Sequence, residues 1–393
     1  MKVGFYGNMN NFGLCVVRYL RDLGYDAELV LFEDEAAHFH PSSDCFDLTY
    51  QSFTRSVNWG GVFRFSDVPI STIERDIARY DQVWGSGVLP AYFQKMGRKL
   101  DVFFPYGSDL EGLTQYPGIP LRRRHIKSFF ELPYRQRIGI REHCRAIAMD
   151  PAPWFDAVLK KLDFKGKRIL ESVPLLYQPV YENFDSYKHR SFWTSTLERL
   201  RAESEILIFH PTRHIWQPGH LAGGRKGNDK LLRAFARLVK ERKINAHLIT
   251  TEYGPDASAS KELASVLGIA DHMTWLPVLP RREVMVALGY ADISAGDYDV
   301  GWHTGGVVFE SYAAGKPLVH FRDESSLGAA ERRALAPIIP AKSEDEILEA
   351  LAGFKADPES YRDVGRRARK WLAENSGPEQ VRRIAEVAGL ASR

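Results

Sequence analysis

The feature that most constrains this chain is an alternation of short apolar strand patterns with helical patterns, which occurs in two series. Strands that alternate with helices form parallel sheets with crossover helices. A polar, tyrosine-rich stretch over residues 174–204 separates the two series. The 393 residues therefore predict an α/β protein with two Rossmann-like doubly wound domains facing across a cleft, over 1–178 and 179–375. A C-terminal helix within 376–393 is expected to pack back on the first domain.

Bulk composition limits the classes of protein that fit. The chain is 44% hydrophobic and 26% charged with a net charge of +3, a soluble globular balance that is too mild to indicate nucleic-acid binding. The three cysteines form neither a disulfide framework nor a metal-spaced pair, so a reducing compartment is expected. No stretch approaches the roughly 18 apolar residues of a membrane span, and the N-terminus lacks a secretory signal. We expect a cytoplasmic protein, with peripheral attachment at the inner face of the membrane left open.

The turn after the first strand argues against a dinucleotide-dependent dehydrogenase. Gly4 and Gly7 do not complete a G-x-G-x-x-G pattern, and no acidic residue stands where a ribose would need it. Two units of this class that face each other instead predict a ligand cleft between the carboxyl ends of their strands.

In the second series, one cation follows the first strand and another precedes the first helix. The strand 206–209 runs into His210–Arg213, and Lys226 follows in a glycine-rich turn just before a helix. Cations at a strand end and a helix start converge where a diphosphate would lie, and their charge can stabilise a departing nucleotide diphosphate without a metal. A basic surface turn is the alternative interpretation of these residues alone.

A glycine-rich segment opens a later helix. It reads Gly301-Trp302-His303-Thr304-Gly305-Gly306-Val307, and Glu310 and Ala314-Gly315-Lys316-Pro317 follow it. Glycines at a helix start let backbone N–H groups approach a phosphate or a sugar. A carboxylate one turn inside that helix can accept both ribose hydroxyls. The alternative is a glycine-rich loop beside a solvent-exposed glutamate.

These segments resemble the donor half of family 4 glycosyltransferases, which have the GT-B fold. That family carries a Gly-Arg at a strand end, a Lys-Gly before a helix, and a Glu-x7-Glu box followed by Ala-x-Gly-x-Pro. Arg213, Lys226 and Glu310 stand at the Arg, the Lys and the second, ribose-binding Glu. At the position of the family's first Glu, which contacts the transferred sugar, this chain has Trp302.

The resemblance implies a retaining hexosyltransferase that uses a nucleotide-diphosphate sugar and needs neither a metal nor a bound cofactor. A UDP- or GDP-sugar is the expected donor, and the acceptor is expected to be a bacterial-type glycan, a glycolipid, another cell-surface conjugate or a small molecule. Arg213, Lys226 and Glu310 are then the catalytic residues. The expected donor-binding residues are Thr212, Trp302, His303, Thr304, Gly305, Gly306 and Val307.

The first half resembles the family less specifically. A glycine turn after the first strand stands where these enzymes carry a loop near the acceptor and the diphosphate. The segment 106–109 stands at a His-Gly-Thr-Asp-like segment, with tyrosine replacing the histidine. The expected acceptor-side residues are Gly7, Asn8, Asn11, Gly13, Tyr106, Ser108 and Asp109.

Two further signals have a structural and a functional interpretation. Asp297-Tyr298-Asp299 matches the Asp-x-Asp metal motif of the other large glycosyltransferase fold, but on this architecture we interpret it as a loop that positions the glycine box, and we predict no metal site. Residues 121–141 are the most basic segment. A solvated helix face is the default interpretation, and docking to an anionic membrane or acceptor is the alternative.

Three other functions fit the same fold. A nucleotide-sugar epimerase or a sugar phosphorylase would share the architecture. A catalytically dead scaffold that binds sugar nucleotides is compatible with Trp302 and Tyr106 at positions where the family has Glu and His.

Overall fold

The structure, a computed structural model, describes residues 1–115, 126–150, 153–220, 224–301, 303, 305–325 and 327–390. The chain forms two compact units. The first consists of Met1–Tyr177 together with Asn375–Arg393, and the second of Gln178–Glu374. Among the described helices, none combines the length and the apolar character needed to cross a bilayer.

The first unit is built on a parallel sheet. Its strands are β1 (Lys2–Tyr6), β2 (Asp26–Phe32), β3 (Thr54–Val57), β4 (Gln82–Gly85), β5 (Leu100–Phe103), β6 (Cys144–Met149) and β7 (Lys167–Leu170). They lie in the order β3-β2-β1-β4-β5-β6-β7, and every pairing between them is parallel. Its helices are α1 (Phe12–Asp22), α2 (Pro41–Asp44), α3 (Ile70–Ile77), α4 (Leu89–Met96), α5 (Ile126–His143) and α6 (Pro153–Lys161).

The second unit has a smaller parallel sheet. Its strands are β8 (Ile206–His210), β9 (Ala246–Thr251), β10 (Met273–Leu276), β11 (Ile293–Ala295), β12 (Leu318–His320) and β13 (Ile339–Pro340). They lie in the order β10-β9-β8-β11-β12-β13 and pair in parallel. The helices that follow α6 are α7 (Phe184–Tyr187), α8 (Thr194–Glu203), α9 (Asn228–Lys240), α10 (Ala257–Val266), α11 (Arg281–Tyr290), α12 (Gly306–Ala313), α13 (Ala329–Ala334), α14 (Glu344–Ala356), α15 (Pro358–Asn375) and α16 (Pro378–Val387).

The last helix belongs to the first unit. Val381 and Ile384 on α16 are fully buried in the apolar cluster that also contains residues of α1 and β1. Arg383 on the same helix forms a bidentate ion pair with Glu171, at 2.7 and 2.8 Å. Apolar burial and this pair together hold the end of the chain on the first unit.

These two parallel sheets confirm the predicted α/β class. One strand, β3, lies within residues 33–69, a stretch without a regular apolar pattern. Thr54–Val57 is a short edge strand of mixed polarity, and its residues range from exposed to buried. Its pairing with β2 therefore forms a strand that no apolar run in the sequence predicts.

Candidate functional site

The second sheet reverses its strand order between β8 and β11. These strands are neighbours, with Phe209 paired to Ser294. In open parallel sheets, ligands bind outside the carboxyl ends of the strands at such a reversal point. The loop that leaves β8 here carries Thr212 and Arg213, two of the predicted donor-side residues, and the loop that leaves β11 carries Asp297.

A buried hydrogen-bond network holds the loop after β8. His210 Nδ1 donates to the Ala295 carbonyl at 2.8 Å, and its Nε2 accepts from Asn228 Nδ2 at 2.9 Å. Asn228 Oδ1 also accepts from the Ile215 amide at 3.0 Å. Burial lowers the pKa of His210 to about 4, so the ring is neutral at pH 7 and can accept this bond. The start of α9 and the loop after β8 are therefore held together.

A second histidine extends this network toward β9. His214 lies between Thr250 Oγ1 and Ser260 Oγ, each 2.9 Å from a ring nitrogen. Thr250 donates its own hydroxyl proton to the His210 carbonyl at 2.9 Å, so His214 Nε2 is the donor toward Thr250. Burial lowers the pKa of His214 to about 3. Neither histidine is suited to general acid–base chemistry near pH 7.

Arg213 lies between these two histidines in sequence but faces solvent. Its side chain is exposed, and the guanidinium lies 5.8 Å from the ring centroid of Tyr253. The backbone here is closely packed, because a Cβ on Gly254 would lie 2.4 Å from the His214 carbonyl oxygen. The main chain of Arg213 is thus anchored while its guanidinium stays accessible to a ligand.

Lys226 reaches the same strand ends from the start of α9. Its Nζ lies 3.4 Å from Asp297 Oδ2, and the Tyr298 amide donates to its carbonyl at 2.9 Å. One turn further along α9, Lys230 pairs with Asp299. Gly227 between the loop and the helix has φ +66°, and its Cα approaches Asp299 and Tyr298 closely.

These lysine pairs make the Asp-x-Asp motif less suited to binding a divalent metal ion. Each carboxylate already has an ammonium partner, which reduces the negative charge that a divalent cation would require. Within the described ranges, no group of three or more His, Cys, Asp or Glu side chains is arranged to hold a metal ion. The motif aligns Lys226 and Lys230 instead.

Glu310 has a partner that the sequence did not indicate. Arg281, the first residue of α11, donates from Nε to Glu310 Oε1 at 2.9 Å. Both side chains are largely buried, with 9% and 12% of their surface exposed. Glu310 also lies near the first turn of its own helix, because a Cβ on Gly306 would lie 3.6 Å from Oε1. The carboxylate is held in one orientation beside the glycine turn.

The remaining donor-side predictions are partly described. Thr212 is buried beyond β8, and Gly305, Gly306 and Val307 form the half-buried start of α12. His303 donates from Nε2 to the Asp323 carbonyl. Trp302 and Thr304 lie outside the described residues. The described donor-side residues come from the loops after β8 and β11 and from the starts of α9 and α12.

In the first unit, two of the predicted acceptor-side residues bond internally. Asn8 is fully buried, donates to Asn11 Oδ1 at 2.8 Å and accepts from the Leu14 amide at 2.8 Å. Asn11 has a φ of +62°. Gly7 and Gly13 approach each other so closely that a Cβ on Gly13 would lie 2.3 Å from the Gly7 carbonyl oxygen. The side chains of the two asparagines therefore shape the turn.

Asp109 has a similar positioning role at the end of β5. It is fully buried and accepts from the amides of Gly87 at 3.0 Å and Tyr106 at 2.9 Å. Burial raises the pKa of its carboxyl to about 7. Tyr106 is half-buried and Ser108 is exposed, so these two side chains are the more accessible part of the segment.

Glu35 is a residue at this edge that the sequence analysis missed. It accepts from the Asn8 amide at 2.6 Å and from the Phe32 amide at 3.3 Å, and burial raises its pKa to about 7. It lies in a loop whose sequence gives no helix or strand signal. Proximity to Gly7 arises only when β1 and β2 pair.

The basic segment 121–141 is described from residue 126 onward, and its Arg122–Arg124 run lies outside the described residues. On α5, Lys127 and Arg137 are exposed. Phe130 and Tyr134 have 53% and 57% of their surface exposed. These positions combine accessible aromatic and basic side chains on one helix.

Comparisons of sequence each cover about two fifths of the chain. Residues 215–371 match the family described as glycosyl transferases group 1. The GDP-mannose-dependent alpha-(1-6)-phosphatidylinositol monomannoside mannosyltransferase of Mycolicibacterium smegmatis is 27% identical over 158 residues, which span 38% of this chain and 41% of that protein. The Mycobacterium tuberculosis H37Rv protein of the same description is 26% identical over 156 residues, 38% of this chain and 40% of its own length. The matched region is thus about two fifths of each relative.

Solved structures extend the likeness to the whole fold. Anabaena HepE in complex with UDP superposes with a TM-score of 0.62 at 14% identity, covering 98% of this chain and 99% of that one. WaaG, described as a glycosyltransferase involved in lipopolysaccharide biosynthesis, gives a TM-score of 0.56 at 14% identity, over 99% and 100% of the two chains. A putative UDP-N-acetylglucosamine 2-epimerase from Listeria monocytogenes gives 0.58 at 12% identity, over 98% and 94%.

The family match contains Lys226 and Glu310 and begins two residues after Arg213. The solved structures match over nearly the whole chain. Together they show that this chain has the GT-B fold and that residues 215–371 of its second unit match the glycosyl transferases group 1 family.

Proposed function

We propose that this protein transfers a hexosyl group from a nucleotide-diphosphate sugar to an acceptor hydroxyl, with retention at the anomeric carbon and without a metal. The observation that carries the proposal is the arrangement at the switch point of the second sheet. Arg213 and Lys226 follow β8 and precede α9, and Glu310 stands at the start of a glycine-opened helix within a group 1 domain.

In this proposal the donor binds along the carboxyl edge of the second sheet. Glu310 accepts the ribose hydroxyls, while Arg213 and Lys226 face the diphosphate. The acceptor hydroxyl bonds to the anomeric carbon, the bond from that carbon to the β-phosphate oxygen breaks, and the hydroxyl proton leaves with the diphosphate. The two cations stabilise the negative charge that develops on the leaving group.

The first unit is proposed to contribute the acceptor contacts. Met9 and Asn10 in the turn 7–13, together with the side chains of Tyr106 and Ser108, are the accessible groups there. The acceptor is proposed to be a glycolipid or another cell-surface conjugate, and the description of the mycobacterial relatives as acting on a phosphatidylinositol mannoside supports that class. Phe130, Tyr134 and the neighbouring cations of α5 would then contact an anionic membrane from the cytoplasmic side.

Guanine and uracil are the two proposed donor bases. The mycobacterial relatives are described as GDP-mannose-dependent, and the Anabaena structure contains UDP. Calorimetry with GDP and UDP, followed by transfer assays with GDP-mannose and UDP-glucose, tests which nucleotide the second unit accepts.

The deciding experiment measures release of nucleoside diphosphate with and without EDTA. We expect acceptor-dependent release that EDTA leaves intact. Arg213→Ala and Lys226→Ala should reduce turnover by about 100-fold or more while lowering donor affinity much less, because their charges act mainly in the transition state. Isomerised donor without release would indicate an epimerase. Binding without release would indicate a scaffold, and activity lost in EDTA and restored by Mg²⁺ would contradict metal independence.

A further inference from the structure

Two buried polar atoms at the switch point have no hydrogen-bond partner among the described residues. They are Thr212 Oγ1 and Asp297 Oδ1. Thr212 is 4% exposed and Asp297 is 7% exposed. A buried polar atom without a partner costs free energy, so such atoms mark places where a ligand can supply the missing bond.

The sheet register places these two residues beyond the same ends of two neighbouring strands. Phe209 on β8 pairs with Ser294 on β11, and Thr212 and Asp297 each lie three residues beyond that pair. They therefore follow neighbouring strands at matching positions, on the two sides of the strand-order reversal.

The surrounding structure fixes the orientation of Asp297. Its amide donates to His320 Nδ1 at 3.1 Å, and its carbonyl accepts from the Phe321 amide at 2.9 Å. Its Oδ2 faces Lys226 Nζ at 3.4 Å. With the backbone and one carboxylate oxygen held, Oδ1 presents a fixed acceptor beside the cation proposed to face the diphosphate.

The chemistry of this acceptor selects the group that it can bind. A phosphate oxygen at pH 7 carries negative charge and offers no proton, so it is unsuited to a carboxylate oxygen. A sugar hydroxyl next to the diphosphate can donate to Asp297 Oδ1, and the Thr212 hydroxyl can donate to a neighbouring oxygen. The family resemblance expects a sugar-contacting carboxylate at position 302, where this chain has tryptophan.

We propose that Asp297 and Thr212 form the subsite for the transferred sugar, with Asp297 Oδ1 accepting one of its hydroxyls. The inference rests on the proposed function, because it places the diphosphate at Lys226. Asp297 then supplies from the end of β11 the carboxylate that Trp302 does not. The rival role for Asp297 is to hold Lys226 alone.

The test compares Asp297→Asn with Asp299→Asn, a matched control two residues away whose carboxylate pairs with Lys230. Calorimetry measures the affinities for GDP, GDP-mannose, UDP and UDP-glucose. For the nucleotide that the parent prefers, we expect Asp297→Asn to reduce the ratio of donor affinity to nucleoside diphosphate affinity by about tenfold, the loss of one charge-assisted bond. Asp299→Asn should leave that ratio within about twofold.

Thr212→Val and Thr251→Val form a second matched pair. Thr251 Oγ1 is also buried without a partner among the described residues, but it ends β9, one strand away from the reversal. Only Thr212→Val should lower the same ratio, by about threefold to tenfold for a single hydroxyl. This pair decides the question if Asp297→Asn does not fold.

Donor analogues that lack single sugar hydroxyls then identify the bonded group. For one deoxy donor, the ratio of donor affinity to nucleoside diphosphate affinity should be the same in the parent and in Asp297→Asn, because the bond is already absent. If Asp297→Asn weakens nucleoside diphosphate and donor by the same factor, Asp297 acts only through Lys226 and the subsite is wrong. If the parent binds none of the four ligands, the proposed function itself fails.

Discussion

The buried pair of Arg281 and Glu310 allows the structural and ligand-binding roles of Glu310 to be separated. The two side chains are joined at 2.9 Å with about a tenth of their surface exposed. Breaking such a buried pair by removing one partner costs about 3 kcal/mol at the lower end of the usual range. For a unit of this size, each kcal/mol shifts Tm by about 2–4 °C. Glu310→Gln should therefore lower the Tm of the second unit by roughly 6–12 °C.

The same substitution should also weaken nucleotide binding. A carboxylate that accepts ribose hydroxyls makes charge-assisted bonds of about 1.5–3 kcal/mol each, so Glu310→Gln should cost about ten- to a hundredfold in affinity for GDP or UDP. Arg281→Gln should destabilise the unit by a similar amount because it leaves Glu310 without its ion-pair partner. It keeps the carboxylate, so its effect on nucleotide affinity should be smaller.

The double variant Arg281→Gln/Glu310→Gln separates the two effects. Removing both charges should give a more stable protein than either single variant, because neither member of the pair is then left facing a lost partner. It does not restore the ribose contact, so nucleotide affinity should stay low. Thermal unfolding and calorimetry with GDP, UDP and their 2′-deoxy forms measure the two quantities on the same samples. Recovery of nucleotide affinity together with stability would refute a ribose-binding role for Glu310.

Two other predictions concern pH and membranes. On acidification from pH 7 to 5 the second unit should lose about 2 kcal/mol of stability, because the unfolded state protonates His210 near pH 6.5 while the folded state resists until about pH 4. The first unit should gain stability over that range, since Glu35 and Asp109 have raised pKa values of about 7 and bind protons more tightly when folded. Hydrogen exchange of each unit at pH 7 and pH 5 checks the sign of both changes. Stability that changes in the same direction in both units would contradict the prediction. Reversing Lys127 and Arg137 to Glu should weaken co-sedimentation with phosphatidylglycerol vesicles by about tenfold or more and leave nucleotide affinity unchanged, with phosphatidylcholine vesicles as the control. A collapse of nucleotide affinity would contradict a membrane role for α5.

Sequence predicted the parts of the fold that local patterns encode. Buried apolar strands such as β8 and glycine-opened helices such as α12 have signals within a few neighbouring residues. These signals also led to Arg213, Lys226 and Glu310, whose roles remain predictions. They fail for β3, a short strand of mixed polarity that exists only through its pairing with β2.

Contacts between residues distant in the chain could not be predicted from the sequence, for a different reason. Arg281 bonds to Glu310 across 29 positions, and Lys226 bonds to Asp297 across 71. No local period relates such residues, because the distance between them is set by how the helices pack on the sheet. The sequence therefore predicted the Asp-x-Asp loop as a support for the glycine box, and the lysine partners of its carboxylates appear only in the fold.

The return of α16 to the first unit has a consequence for synthesis of the chain. Val381 and Ile384 fill part of the core around α1, and they are made only after the whole second unit has been translated. Domains of a growing chain usually fold in order of emergence from the ribosome. Here the first unit emerges first but lacks part of its own core, so we expect the second unit to fold to completion earlier. A released chain truncated after residue 374 should have a protease-resistant second unit and a first unit that still binds chaperones.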